Sequence, residues 1–247
     1  ARSSATAFAV GGKGYAGTGY DGIDKMKDFY EYDPSSNTWT QKANFSGSAR
    51  YDASSFAIGD KGYITCGFDG NHLKDLWEYD PIGNAWTQKA SLGGSKRSDA
   101  AAFVYGNKAY VLTGANNGSY LNDFWAYDPS TDSWTEKRKI TSVNDDESYD
   151  DDYGTDITRS NASIFIMGAK AYLAMGNRNG IVSTCWEYDI ANDTWIQKTS
   201  FEGTAREGAI SFTINDRGYT TTGNTSSSRF DDLWEFFPTQ EVNDNDN

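Results

Sequence analysis

Histidine, cysteine and proline are scarce in this chain of 247 residues, which has one, two and four of them respectively. Two cysteines in such a length do not make a disulfide framework. No apolar run approaches the roughly 18 residues of a membrane-spanning helix, so the sequence excludes one. Basic residues are also outnumbered, since 22 Lys and Arg stand against 35 Asp and Glu, which gives a net charge of −13. This balance argues against a nucleic-acid partner, since phosphate binding needs a surplus of positive charge.

The acidic residues are concentrated in two segments. The acidic insert (residues 142–158) has no Lys or Arg and contains Asp145, Asp146, Glu147, Asp150, Asp151, Asp152 and Asp156. The acidic tail (residues 241–247) contains Glu241, Asp244 and Asp246. Without these ten residues, 25 acidic residues face 22 basic ones, so the rest of the chain has a net charge of −3. Runs of like charge are typical of solvated segments, and we expect both to be appendages of a nearly neutral body.

Five copies of one repeat organise the chain. Each copy has an Arg at its start, and these arginines are 48, 47, 62 and 47 residues apart, the long spacing containing the acidic insert. An Ala follows each Arg after three residues, a Phe after six, a Tyr after 13 and a Gly after 17. The repeats span residues 1–49, 50–96, 97–158, 159–205 and 206–240. A period of about 50 residues is typical of repeat architectures.

Each copy is predicted to form four short strands. The first ends near the Phe, the second holds the Tyr, the third carries a motif such as Asp-Leu-Trp-Glu-Tyr-Asp-Pro, and the fourth starts at a Trp. Strand formers alternate with Gly, Asn-Gly and Asp-Pro turn signals, and no segment has a helical period. No Trp follows Phe237, so the fifth copy is expected to lack its fourth strand. Four antiparallel strands per copy predict an all-β fold, a β-propeller with aromatic side chains between its blades.

The repeated pattern of Arg, Phe, Lys-Gly-Tyr, Gly, Asp-x-Trp-Glu-Tyr-Asp-Pro and Trp resembles the Kelch repeat. The resemblance covers the chain except the acidic insert and tail, and it implies one Kelch-type propeller over residues 1–240. Kelch repeats usually carry a Gly doublet after the second strand, but only the second Gly is kept here. The first position holds Thr18, Cys66, Thr113, Met175 and Thr222. The resemblance further implies closure by a strand from upstream of Ala1, with five blades, or six if a whole blade also lies there.

The resemblance places ligand-contacting positions at the start of the first strand and just after the Gly. On this sequence the first set comprises each Arg with its following residue: Arg2 with Ser3, Arg50 with Tyr51, Arg97 with Ser98, Arg159 with Ser160, and Arg206 with Glu207. The post-Gly residues are Tyr20, Phe68, Ala115, Asn177 and Asn224. The five arginines have two interpretations. They bind carboxylates or sugar hydroxyls, or they serve the shared architecture by pairing with a loop Asp.

The variable positions divide into an aromatic and a polar side. Tyr20, Tyr51 and Phe68 belong to the first two copies and suit stacking on a sugar or capture of a peptide side chain. Asn177, Glu207 and Asn224 belong to the last two copies. The acidic insert is expected on the same face as the arginines, where it covers them or presents acidic charge to a partner. The alternative to both hypotheses is ordinary loop surface.

Catalytic and metal-binding signals are weak. The only histidine, His72, has no recognisable partners for a serine or cysteine triad, and a copper site of the galactose oxidase kind needs two His ligands. Asp150, Asp152 and Asp156 resemble a calcium loop without its terminal bidentate Glu, so calcium stands beside a solvated loop as an alternative. Cys66 and Cys185 are predicted to be small buried hydrophobes without a disulfide.

The resemblance is strongest to secreted or lipid-anchored bacterial Kelch proteins. The absence of a starting Met and of a signal pattern fits a processed or trimmed N-terminus. We therefore expect a non-enzymatic binding or scaffold propeller with a protein partner, an accessory subunit of a cell-surface or outer-membrane assembly. A carbohydrate-binding module and a sugar mutarotase, with Glu207 and Arg206 as its polar groups, remain alternatives.

Overall fold

Strands and turns make up the described part of the chain. A computed structural model describes residues 1–142 and 153–237, and no helix occurs within those ranges. Accordingly, no helix there is long and apolar enough to cross a membrane. The chain divides into two compact units, Ala1–Glu136 and Lys137–Asn247.

The first unit contains three four-stranded antiparallel sheets, one for each of the first three repeats. Repeat 1 forms β1 (Thr6–Val10), β2 (Lys13–Gly17), β3 (Phe29–Asp33) and β4 (Thr38–Gln41). Repeat 2 forms β5 (Ser54–Ile58), β6 (Lys61–Thr65), β7 (Leu76–Asp80) and β8 (Ala85–Lys89). Repeat 3 forms β9 (Ala101–Tyr105), β10 (Lys108–Leu112), β13 (Phe124–Asp128) and β14 (Ser133–Glu136), with an extra hairpin of β11 (Ala115–Asn116) and β12 (Ser119–Tyr120).

The second unit contains one four-stranded and one three-stranded antiparallel sheet. Repeat 4 forms β15 (Ser163–Met167), β16 (Lys170–Ala174), β17 (Cys185–Asp189) and β18 (Thr194–Lys198). Repeat 5 forms β19 (Ile210–Ile214), β20 (Arg217–Thr221) and β21 (Leu233–Phe236). Strands follow one another across each sheet in chain order, so every repeat is a meander. Within the described residues the fifth sheet has no fourth strand, as the missing Trp predicted, and Leu233 is 63% exposed.

Aromatic side chains fill the space between neighbouring sheets of a unit, as the sequence predicted. The first strands of consecutive repeats pack against each other, β1 with β5 and β5 with β9. Phe8 stacks on Tyr15 at 5.5 Å between ring centroids, and its ring reaches across to the second sheet. There a Cβ on Gly62 would lie 1.9 Å from the Phe8 ring, so the Gly of Lys-Gly-Tyr makes room for this packing.

The turn that follows each second strand uses two left-handed residues. The repeated Gly has φ between 84° and 100°, and a Cβ on Gly19 would lie 2.7 Å from the carbonyl oxygen of Ser3. The preceding position also has positive φ although it is never Gly here. The values are Thr18 58°, Cys66 62°, Thr113 58°, Met175 58° and Thr222 62°. The substituted doublet therefore keeps the geometry of two glycines, at a cost of about 1–2 kcal/mol for each left-handed L-residue.

The two cysteines are free and buried, as predicted. Burial raises the pKa of the Cys66 thiol, and it raises that of Cys185 to about 12. Both side chains therefore act as small apolar groups of the core.

Candidate functional site

The repeated arginines are mostly interior groups. Arg50, Arg97, Arg159 and Arg206 are at most 1% exposed, whereas the Arg2 side chain is 27% exposed. Four arginines form ion pairs with the Asp that precedes the third strand of their own repeat. The pairs are Arg2–Asp28, Arg50–Asp75, Arg97–Asp123 and Arg206–Asp232. The geometry favours the architectural interpretation of these residues over direct ligand binding, and the carboxylate belongs to the same repeat.

The Arg50 pair shows the arrangement in detail. Arg50 Nη1 donates to Asp75 Oδ1 at 2.6 Å and Nη2 donates to Asp75 Oδ2 at 2.7 Å, a bidentate contact. Nη1 also donates to the carbonyl oxygen of Cys66, and the Trp77 indole N–H donates to Asp75 Oδ2 at 2.7 Å. Burial opposes ionisation of Asp75, but the hydrogen bonds and charge of Arg50 outweigh it and lower the carboxyl pKa. The guanidinium thus ties the turn to the third strand.

The post-Arg and post-Gly residues lie side by side in every repeat. An isolated antiparallel bridge joins the two positions in each of the five copies. The bridged pairs are Ser3–Tyr20, Tyr51–Phe68, Ser98–Ala115, Ser160–Asn177 and Glu207–Asn224. In the first unit Gly19 N–H also donates to the Arg50 carbonyl oxygen at 2.8 Å, which links one repeat to the next. The sequence-predicted positions of neighbouring repeats are therefore linked within a unit, although their ligand-binding role stays a prediction.

The first unit carries an aromatic strip formed by Tyr20, Tyr51, Phe68 and His72. Ring centroids are 5.7 Å apart for Tyr20–Tyr51, 5.5 Å for Tyr51–Phe68 and 5.1 Å for Phe68–His72. All four side chains are half-buried. Sequence reasoning grouped the first three, and the structure brings them together. The sequence prediction did not include His72, because this residue reaches the strip only when the loop after Phe68 folds back.

His72 connects the strip to the extra hairpin of repeat 3. Its Nε2 accepts a hydrogen bond from the Asn117 N–H at 3.1 Å, and burial lowers the pKa of the imidazole. The turn between β11 and β12 is Asn117–Gly118, with φ of 48° and 80°. Sequence reasoning missed this hairpin, although Asn-Gly is its usual turn signal.

A left-handed residue occupies the second position after each Arg. These residues have φ between 52° and 65°: Ser4, Asp52, Asp99, Asn161 and Gly208. Asp52 N–H donates to the Ser4 carbonyl oxygen at 3.2 Å, and Asp99 N–H donates to the Asp52 carbonyl oxygen at 3.0 Å. This backbone chain brings two carboxyl groups together, which the sequence did not reveal because they are 47 residues apart.

Burial raises the pKa of the Asp52 carboxyl, which also hydrogen-bonds with the side chains of Ser4 and Asp99. Ser98 Oγ donates to Asp99 Oδ2 at 2.8 Å. Burial, followed by the charges of Asp52 and Asp99, raises the pKa of Tyr51. The aromatic strip is therefore bordered by acidic groups in a low-dielectric setting.

The polar side lies in the second unit. Asn177 Nδ2 donates to Glu207 Oε2 at 2.9 Å, and the Glu207 and Asn224 backbones exchange hydrogen bonds at 2.9 and 3.0 Å. The three predicted polar residues therefore form one group, which can present amide and carboxylate oxygens to a ligand.

The two hypotheses for the acidic insert, that it covers the arginines or presents acidic charge to a partner and that it binds calcium, concern residues largely outside the described ranges. Asp150, Asp152 and the acidic tail (residues 241–247) lie outside those ranges, and calcium binding stays a prediction. Asp156 is described, and its carboxylate accepts from Arg178 Nη2 at 2.8 Å. Among the described residues, no group of three or more His, Cys, Asp or Glu side chains is arranged for a metal ion.

Comparisons with known proteins agree with this geometry. The sequence model of the Kelch motif matches residues 49–93 and 96–139. No curated protein matches the chain. The solved structure of YjhT is similar, with a TM-score of 0.72, 20% sequence identity, and coverage of 90% of this chain and 72% of that one. At that identity the likeness concerns the fold alone. The two matched repeats, the strand pattern shared by the five sheets and the similar fold support a Kelch-repeat β-propeller.

Proposed function

We propose that this propeller is a non-enzymatic binding protein that engages a protein partner through the surface carrying the aromatic strip. Kelch propellers commonly serve binding and scaffold roles, which supports the general part of the proposal. The observation that carries the specific part is the strip itself. Rigid, half-buried aromatic side chains are the groups that most often anchor protein interfaces.

The acidic groups beside the strip add to its selectivity. Asp52 and Asp99 border Tyr51, so a basic or hydrogen-bond-donating partner segment fits better than an acidic one. The resemblance to secreted or lipid-anchored bacterial Kelch proteins implies that this partner is a component of a cell-surface or outer-membrane assembly. Localisation at the bacterial cell surface is part of the same proposal.

Photo-crosslinking in the native host tests this proposal. A photoreactive amino acid at position 68, placed in the strip, should capture one membrane-associated protein, and Tyr51→Ala should reduce the capture strongly. Tyr105 provides the matched control. It is an exposed aromatic residue at the β9–β10 turn, the opposite end of the sheet from the strip. Equal capture from positions 68 and 105, or none from either, would overturn the proposal.

Carbohydrate binding is the second candidate, because the same strip can stack on sugar rings and the polar side offers amide and carboxylate groups. A glycan array separates the two: strip-dependent glycan binding without protein capture would favour it. A mutarotase role has less support. Arg206 is buried and paired with Asp232, which leaves Glu207 as the accessible group. Loss of sugar-anomer exchange in Glu207→Gln would establish that activity.

A further inference from the structure

Repeat 4 breaks the rule that each buried arginine has a carboxylate partner. Where the other repeats have Asp before the third strand, repeat 4 has Thr184. Arg159 is nevertheless 0% exposed. Its Nη1 donates to the carbonyl oxygens of Met175 and Thr184 at 2.9 and 3.0 Å. Its Nε donates to the carbonyl oxygen of Ile157 at 3.1 Å.

The remaining donors of Arg159 also meet neutral oxygens. Nη2 donates to the Asp156 carbonyl oxygen at 2.8 Å and to Thr184 Oγ1 at 3.0 Å. The Asp156 carboxylate is engaged by Arg178 and is 57% exposed, so solvent screens its charge. The N–H donors of Arg159 thus all have hydrogen-bond acceptors. Within residues 1–142 and 153–237, however, no carboxylate forms an ion pair with it.

Repeat 4 also has an unused hydrogen-bond donor at the position that contacts the carboxylate in other repeats. In three repeats the indole N–H of the third-strand Trp donates to the carboxylate that also binds the Arg. These contacts are Trp77–Asp75, Trp125–Asp123 and Trp234–Asp232, at 2.7–2.8 Å. In repeat 4 the corresponding Trp186 is 5% exposed, and its Nε1 has no hydrogen-bond partner among the residues that the structure describes. A buried orphan donor costs about 1–3 kcal/mol, so its retention calls for an acceptor.

We propose that repeat 4 binds a small monovalent anion such as chloride, held by the Trp186 N–H and the Thr184 O–H beside Arg159. The anion takes the position of the carboxylate that the other repeats supply. Thr184 Oγ1 accepts from Arg159 and still has its own proton to donate. The burial of Arg159 and Trp186 restricts the ligand to a single atom or a similarly small ion. Burial lowers the pKa of Arg159 to about 10, so the guanidinium keeps its charge at neutral pH.

Thermal unfolding in two salts tests the anion site. The protein is titrated with sodium chloride against sodium gluconate at constant ionic strength. We expect a saturable rise in Tm with chloride, about 2–4 °C once chloride exceeds its Kd about fivefold. Thr184→Asp supplies the missing carboxylate, so it should raise Tm without chloride and abolish the chloride dependence. Identical curves in the two salts, or chloride dependence that persists in Thr184→Asp, would overturn the proposal.

A matched pair of variants and a direct measurement complete the design. Trp186→Phe should weaken the chloride effect, whereas Trp125→Phe in repeat 3 should leave it unchanged, because Asp123 already supplies the charge there. If Trp186→Phe does not fold, crystals of the unaltered protein in sodium bromide decide the question. An anomalous peak within hydrogen-bond distance of Trp186 Nε1 supports the site. Its absence in crystals that show bromide elsewhere refutes it.

Discussion

Removing the carboxylate of Asp123 should destabilise the protein far more than removing that of Asp28. Asp123 accepts from Arg97 Nη2 at 2.6 and 2.5 Å, from Trp125 Nε1 at 2.8 Å and from the Ser95 N–H at 3.3 Å. The Arg97 side chain is 0% exposed, so Asp123→Ala leaves a buried charge without its partner. The expected loss is about 3–5 kcal/mol of unfolding free energy. For a chain of this size, that lowers Tm by about 6–20 °C.

Asp28→Ala is the matched control for this prediction. The Arg2 and Asp28 side chains are 27% and 19% exposed, so this pair should contribute about 1 kcal/mol or less. Urea denaturation of the two variants and the unaltered protein gives both differences directly. If Asp123→Ala lowers the unfolding free energy no more than Asp28→Ala does, the buried arginine pairs do not stabilise the blades.

The pH dependence of Asp123→Ala gives a second measurement. Burial opposes ionisation of Asp123, but the charge and hydrogen bond of Arg97 outweigh it, and the carboxyl pKa lies below its ordinary value. The stability it contributes is complete above the unfolded pKa of about 3.9 and is lost as pH falls through the folded value. The difference in unfolding free energy between Asp123→Ala and the unaltered protein should therefore decrease below pH 4. A difference that stays constant with pH would contradict the ionic origin of the stabilisation.

Two further predictions concern titration near the aromatic strip. Burial raises the folded pKa of Asp52, so ionisation of this carboxyl lowers the free energy of unfolding as pH rises through that value. The variant Asp52→Asn places at this position the residue type that repeat 4 has at Asn161. It should be more stable than the unaltered protein at pH 7 but not at pH 3. Equilibrium unfolding at both pH values checks this, and a gain independent of pH would refute it. Burial lowers the pKa of His72, so its contribution is complete above pH ~6.5 and is lost as pH falls through the folded pKa. The hydrogen-exchange protection of the Asn117 amide should fall between pH 7 and 5, and should change little over that range in His72→Gln.

Much of the fold could be predicted from the sequence because the repeat states the same local rules five times. The packing of Tyr15 with Phe8 and the start of a fourth strand at Trp86 follow from the repeat spacing and the residue types alone. The hairpin at Asn117–Gly118 also had a local signal, which was overlooked in the longer repeat. The candidate site could be predicted in part, since Tyr20, Tyr51 and Phe68 occupy positions defined by the repeat.

The sequence by itself determined the repeat, the strands, the burial of the aromatic residues and the partition of charge into a nearly neutral body with acidic segments. These features depend on short spacings, and each repeat supplies an independent copy of the pattern. Only the tertiary structure decided which groups meet across long separations. It paired Arg50, Arg97 and Arg206 each with the Asp of its own repeat and placed Asp52 beside Asp99. Among the described residues it left Arg159 and Trp186 without a carboxylate. These contacts depend on how left-handed turns and packed sheets bring distant residues together, which local residue patterns do not specify.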